Sequence, residues 1–560
     1  MADAREWIRA RDSLANTLQG YLDACLWFKD SSAHASFPRD QSAAILQTFD
    51  QELKNISAYM SKLRHAHAAL GVARNYSKQL VPINRLPHEV LSRIFGIVGE
   101  YRAPHSYDLS KPKKSFRYPE LLSEVCTFWN QLVKNTPALW SRIKLVVCGS
   151  EKDTSYARAS RFLRFSNNSP ISIRIKSSSA LKPNEVSALL EWLTPAMKRV
   201  YRLETGRNWF SASDLHSILA CWLDHSDPGS VKVLDLYFHQ PRFDTPSFEL
   251  DSSSETNGGF SMSSQRFQKF FKPLTLLRLN GISLRWDHYV FGGLAHLSLR
   301  TGSITEMQLI ALLSHNPELR SLSLSLKITE AVPHELSSTP VHLSNLRTLN
   351  INSRNSSDIL LVLRMIAPGP GPLKMSMRAL KDDDSDNNSD SDNDGDNDNP
   401  NVYPVVDECL QNFFRRANVV ALSISERASI AEEHPEATWA PWFPHVLGLL
   451  PHLQMLSLES VCLTSKYELL LSSSKVCQNL RSLCLNDCRL HLETLKQMLR
   501  RYSIRNLVMW DCDVMDNLGP KYWTPRCVEE ELCDFASKVR CYDDYPMDGD
   551  PFADWDYEYF

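Results

Sequence analysis

Cysteine is the first residue type in this sequence with chemistry to offer. There are 13, an odd number, and no two stand as Cys-x-x-Cys. The closest pair is Cys484 and Cys488. That pattern fits reduced thiols better than a disulfide framework or a zinc site. A second candidate is Asp390-Ser-Asp392-Asn-Asp394-Gly395-Asp396, whose spaced carboxylates imitate the opening of a calcium loop. The twelfth position is Asn401 instead of a bidentate Glu, and no amphipathic helix precedes it, so calcium is not expected. Ser389 and Ser391 each stand three residues before an Asp, the spacing of acid-directed phosphorylation, though a solvated linker is the default reading. No Gly-x-Ser-x-Gly elbow, phosphate-cradling glycine loop or His-Glu-x-x-His occurs. The 19 glycines in 560 residues are about half the usual usage, which further disfavours a nucleotide site. The expectation is a protein that is not an enzyme, with no cofactor and no metal.

A chain of this length must hold several domains or an extended repeat. A net charge of -3 and a pI near 6.6 provide no general attraction for nucleic acid or anionic membrane, so neither is an expected partner. The N-terminus lacks the apolar core of a signal peptide, and the longest apolar run, 359–367, is broken by Arg364. A cytoplasmic or nuclear protein is expected.

The elements that must position any binding residue begin at the N-terminus. Residues 1–40 read as partly helical, with Trp7, Leu14, Leu18, Leu22 and Leu26 on one face. Residues 41–80 carry a heptad seam of Leu46, Phe49, Leu53, Ile56, Met60, Leu63, His67 and Leu70, in alternating steps of three and four. Residues 41–79 would serve either as a homodimer contact or as a brace for the chain's own helices. A compact helical module follows over 82–146. Pro87 suits the first helical position and Glu89 the positive end of the dipole, while Val90, Leu91, Ile94, Phe95 and Val98 form an apolar stripe. A second helix is predicted from Tyr118-Pro119-Glu120, with Leu121, Val125, Phe128, Trp129 and Leu132 on one side. A third is predicted from Thr136-Pro137, with Thr136 as N-cap and Leu139 and Trp140 beyond it.

At these residues the sequence resembles the F-box family, whose pattern runs Leu-Pro-x-Glu, Ile/Leu-Leu, Ile-Phe, Val-Cys-x-x-Trp and Leu-Trp. Leu86, Pro87, Glu89, Leu91, Ile94, Phe95, Val125, Cys126, Trp129, Leu139 and Trp140 fall on its positions. The resemblance implies a subunit that docks on the Skp-type adaptor of a cullin ubiquitin ligase and presents a protein substrate through another domain. Leu86, Pro87, Glu89, Val90, Leu91, Ile94, Phe95, Val125, Cys126 and Trp129 would then bind the adaptor. One departure is a loop between the first two helices, about 100–118, containing Lys111-Pro-Lys-Lys-Ser-Phe-Arg117, a basic cluster that reads as solvated surface.

Beyond Trp140 come two alternating apolar runs, Ile143–Val147 and Ile171–Ile175, and then a repeat. The spacing Leu-x-x-Leu-x-Leu starts at Val231, Leu274, Leu294, Leu319, Leu346, Leu453, Leu480 and Ile504, and uninterrupted copies stand 20 to 27 residues apart. This is the signature of leucine-rich repeats. Cys488 and Cys512 occupy the Asn/Cys position of that repeat, where a small polar group turns inward to satisfy backbone, so they are read as structural. The predicted fold is α/β: a helical N-terminal region and three-helix F-box, then a curved leucine-rich-repeat solenoid over 150–540 with a parallel strand face. Two segments break the array, 240–264 and the acidic 381–401, the second compositionally disordered. An acidic, aromatic tail, 541–560, would cap the last repeat or dangle. Residues alternating with the buried leucines point outward. Among them Tyr237, Arg278, Arg300, Met455, Glu459 and Trp510 are the candidates for binding substrate, with Trp510 read as an exposed anchor and the arginines as holders of an acidic or phosphorylated segment, the alternative being that Trp510 packs under the C-terminal tail and the arginines pair with nearby acids. The functional reading is a ubiquitin-ligase substrate receptor, with a ligase-independent leucine-rich-repeat scaffold as the alternative.

Overall fold

The computed structural model describes residues 4–32, 39–76, 81–101, 118–149, 152–206, 210–238, 248–249, 264–283, 286, 291–330, 339–353, 355–378, 402–425, 447–463, 479–515 and 524–542. The predictions for the basic loop, the acidic segment 381–401, most of 240–264 and the tail after Tyr542 lie outside these residues. The chain divides into two compact units, one of residues 1–91 and 122–131, the other of 92–121 and 132–560.

In the first unit, α1 (Ala4–Ser32) and α2 (Arg39–Tyr76) are long helices. The N-terminal segment is thus helical for 29 residues, far more than its mixed composition suggests. A 3-10 turn, Pro82–Arg85, precedes α3 (His88–Tyr101), whose first turn holds Glu89 as predicted. The second predicted helix is broken into α4 (Glu120–Val125) and α5 (Thr127–Lys134). Cys126 supplies the reason, since its sulfur accepts the Trp129 amide at 3.4 Å and so caps α5.

In the second unit, the third predicted helix is only a 3-10 turn, Pro137–Trp140. Thr136 is its N-cap but makes no side-chain capping bond there, because its hydroxyl donates to the Leu132 carbonyl at 2.7 Å. The turn still buries Leu139 and Trp140, and Trp140 packs against Phe162 and Phe165 with ring centroids 5.1 and 4.7 Å away.

Among the described residues, the body of the second unit is one parallel sheet of 14 strands whose spatial order follows chain order throughout. The strands are β1 (Arg142–Val146), β2 (Ile171–Lys176), β3 (Val200–Thr205), β4 (Val233–Tyr237), β5 (Leu276–Asn280), β6 (His296–Thr305) and β7 (Ser321–Thr329). They continue as β8 (Thr348–Ile351), β9 (Leu373–Arg378), β10 (Val419–Ser425), β11 (Met455–Glu459), β12 (Ser482–Asn486), β13 (Asn506–Trp510) and β14 (Lys538–Tyr542). Helices such as Ala212–His225, Glu306–Ser314 and Leu492–Tyr502 carry the chain back between strands.

Register explains the leucine spacing. Leu234, Leu277, Leu297, Leu322, Leu349, Met375, Leu422, Leu456, Leu483 and Leu507 pair in one unbroken row across β4 to β13. None of the ten is more than 1% exposed. A strand two residues wide in apolar side chains cannot bury itself, so each repeat lays its leucines on the next, and the parallel sheet fits a leucine-rich-repeat solenoid. The bend after the strand also repeats. Gly281, Ser460, Asp487 and Asp511 have φ values of 73°, 56°, 51° and 45°. The amides of Gly281 and Asp487 donate to the carbonyls of Arg300 and Trp510 on the next strand, at 2.9 Å in each case. At Gly281 a Cβ would collide with the Phe238 carbonyl, so glycine is required there. The next position is filled by Cys488 and Cys512 in the last repeats. Cys488 donates to the carbonyls of Leu458 and Asn486 at 3.4 and 3.2 Å, and Cys512 to those of Leu485 and Trp510 at 3.5 and 3.2 Å. These are the backbone groups that the Asn/Cys position is predicted to satisfy.

Four strands lie outside the repeat copies read from the sequence. In β3, β9 and β14 the inward places go to Val200 and Leu203, to Met375 and Met377, and to Val539 and Cys541, whereas β10 keeps the spacing as Val419, Leu422 and Ile424.

Candidate interaction surfaces

Two sets of residues are candidates for contact with other proteins, and each is described within its own unit. In the first unit, Leu86 is half-buried, Pro87 and Glu89 are exposed, and Leu91 is fully buried. Val90 is 43% and Val125 56% exposed, large fractions for apolar side chains on helices. Trp129 is half-buried and donates from Nε1 to Asn84 Oδ1 at 3.1 Å. Asn84 is 2% exposed and donates in turn to the Asn75 carbonyl at 2.6 Å. It therefore joins the 3-10 turn to α5 and to the end of α2, a role its sequence position did not announce. The only available signal was a polar residue beside Pro82 and Ile83. Phe128 completes this packing, with its ring 6.1 Å from Tyr76 and 5.4 Å from His88. Cys126, predicted as a contact residue, is half-buried and serves as a helix cap. In the second unit Phe95 is 2% exposed and its carbonyl accepts the Tyr118 hydroxyl, while Ile94 is half-buried.

The second set lies on the strand face. Residues alternating with the buried row align as Lys144, Arg174, Glu204, Asp235 and Arg278 across β1 to β5. From β6 the row continues as Ser298, Ser323, Asn350, Ser376, Ser423 and Ser457. One end of the face is thus charged and the middle is carpeted with small polar groups.

The charged end is tightly paired. Glu204, with a side chain only 6% exposed, receives both Arg174 and Arg202. Burial alone would raise its carboxyl, but the two guanidinium charges and their hydrogen bonds override that and hold it below the usual range. Asp235 meets Arg278 at 2.8 Å, and here burial prevails, so its carboxyl is raised. Lys176, on β2, is pushed down to about 8, first by burial and then by the charges of Lys144 and Arg174. Sequence reasoning missed Glu204 and Arg202 because β3 carries a single leucine, Leu203, and not the full Leu-x-x-Leu-x-Leu spacing. The alternation Arg202-Leu203-Glu204 was the available signal.

The predicted substrate-binding residues divide. Tyr237 is half-buried at the end of β4, its amide donating to Thr205 Oγ1 at 2.7 Å. Arg278 is tied to Asp235, so it stands within the charged row instead of reaching outward alone. Arg300 is half-buried on the neighbouring strand, opposite Asn280. Met455 is half-buried and Glu459 exposed, the latter accepting from Asn486 Nδ2 at 3.3 Å. Trp510 differs from expectation, being 2% exposed and stacked on Tyr542 at 6.4 Å with an interplanar angle of 18°. The physical reason is β14. The leucine pattern ends the array at β13, but Lys538–Tyr542 adds a further strand in register and sets Tyr542 beside Trp510.

Among the described residues no group of three or more His, Cys, Asp or Glu side chains is placed to hold a metal ion. No helix among them is long and apolar enough to cross a membrane.

No family model matches the chain, and no curated protein matches it. Among solved structures, a chain of the crystal structure of the TLR13–ssRNA13 complex is similar over 62% of this chain, with a TM-score of 0.32 and 15% identity. The match spans 40% of that chain. The leucine-rich-repeat reading rests instead on the strand register described above.

Proposed function

We propose that this chain is a substrate-recognition subunit of a Skp–cullin–F-box ubiquitin ligase. Its region 82–146 binds the adaptor, and the strand face of its repeats binds the protein to be modified. The observation that carries this reading is how the motif residues divide between interior and surface. Leu91 and Phe95 are sealed, as residues holding a fold are, while Val90 and Val125 remain 43% and 56% exposed and Pro87 and Glu89 are accessible. Exposed apolar side chains carried on short helices suit a hydrophobic contact with another protein. The strand face supports the second half of the reading. Its long row of serines and one asparagine has little catalytic chemistry to offer, and its paired charges supply orientation for a polypeptide lying across it.

Affinity purification with mass spectrometry, with and without proteasome inhibition, tests this. The reading expects adaptor and cullin in the eluate, together with proteins that accumulate only under inhibition. An eluate with neither adaptor nor cullin would sink it in favour of a ligase-independent scaffold.

A further inference from the structure

Helices α1 and α2 hold a great deal of apolar surface that the first unit leaves uncovered. Phe28 meets Phe49 edge-on at 5.5 Å and the Tyr21 hydroxyl donates to Glu52, so α1 lies along the side of α2 that carries Phe49 and Glu52. Another side of α2 stays open. Leu46 is 63%, Leu53 62% and Met60 49% exposed, and they stand seven residues apart with His67 next in the series. Asp50, Ser57 and Arg64 each follow one of these apolar residues by four positions, so they share the same open face.

We propose that a second copy of this chain covers this face, with α2 packed against α2 antiparallel and centred on Ser57. The pattern is complementary to itself only in that sense. Reversal about residue 57 brings Asp50 of each copy beside Arg64 of the other, forming two ion pairs related by the twofold axis. To within one residue, it also sets Leu53 beside Met60 and Leu46 beside His67. A parallel arrangement in register would face Asp50 with Asp50 and Arg64 with Arg64, placing like charges together. Residues 46–68 overlap fully with the same span of the other copy, a contact roughly 33 Å long at 1.5 Å per residue. This pairing is independent of adaptor binding.

The test is light scattering on the purified full-length protein at micromolar concentration. The expected mass is twice 63.9 kDa. Asp50→Arg alone and Arg64→Asp alone should each raise the dimer dissociation constant about tenfold, since each removes two ion pairs and creates two repulsions. The double variant should restore it. Leu53→Lys should yield monomer with unchanged helical circular dichroism and, if the proposed function holds, undiminished adaptor capture. A wild type of 63.9 kDa at every concentration would overturn the inference, as would a charge swap that fails to restore the dimer. The charge variants lie on an exposed face, so their outcome decides the matter even if Leu53→Lys unfolds. Loss of adaptor in a wild type that still dimerises would count against the adaptor reading alone.

Discussion

Replacing Glu204 by Gln strips the charge from the middle of the Arg174–Glu204–Arg202 cluster while keeping the side chain's size. The Glu204 and Arg202 side chains are 6% and 9% exposed, and that of Arg174 is 35%. Breaking a buried pair by removing one partner costs about 3–5 kcal/mol, whereas a solvent-screened pair is worth about 0–1 kcal/mol. The Arg202 contact belongs nearer the first class and the Arg174 contact nearer the second. Relief of the repulsion between Glu204 and Asp235 offsets part of the loss. The expected destabilisation is about 3 kcal/mol at neutral pH. Its pH dependence follows from the depressed carboxyl. A group whose folded-state value lies below the unfolded 4.5 contributes stability that is fully present above that pH and is lost as pH falls through the folded value. The gap between wild type and Glu204→Gln should therefore hold from pH 7 down to about 4.5 and close below it. Urea unfolding followed by circular dichroism across this range measures it. A gap below about 1 kcal/mol at pH 7, or one that widens in acid, would refute the reasoning.

Lys176 carries the opposite signature. Its ammonium is depressed to about 8, so it imposes a penalty that is full below that pH and fades as pH rises toward the unfolded 10.5. Lys176→Met should stabilise the protein by about 2 kcal/mol at pH 7 and by little at pH 10.5, and thermal melts at the two pH values report the difference. Trp510→Ala should cost about 3–5 kcal/mol in urea unfolding, since the ring is enclosed and stacked on Tyr542. A loss under about 1 kcal/mol would mean that Trp510 is not part of the core.

Much of the repeat was legible because a parallel strand buried on one face demands apolar residues at fixed spacing. Leu483 and Leu485 lie in the sheet where that rule puts them, as do Leu234 and Leu236. The rule asks only for apolar volume, however, and β9 meets it with Met375 and Met377 and β14 with Val539 and Cys541, which a search for leucine passes over. Missing β14 is what exposed Trp510 on paper, and missing β3 is what hid Glu204. In the helical module, the first helix was readable from Pro87 and Glu89 because such preferences act locally, although the helix begins at His88, one residue after Pro87. The role of Asn84 was not readable, since it depends on Trp129 and Asn75 brought to it by tertiary packing, and the break at Cys126 was missed because cysteine is not among the residue types usually read as an N-cap. The strand-face charges show the same limit. Arg278 reads in isolation as a free cation, and only the register of β4 against β5 brings Asp235 to it.

Adaptor docking through region 82–146 is tested most directly by titrating the purified full-length chain with a purified Skp-type adaptor in a calorimeter, beside the Leu86→Ala/Pro87→Ala variant. The predicted result is a one-to-one complex of micromolar or tighter Kd for the wild type. In the variant, binding should weaken more than a hundredfold, from anchor losses of about 2 kcal/mol each, with the melting temperature preserved. A wild type that releases no binding heat and forms no complex on gel filtration, or a double variant that binds as tightly, would contradict it.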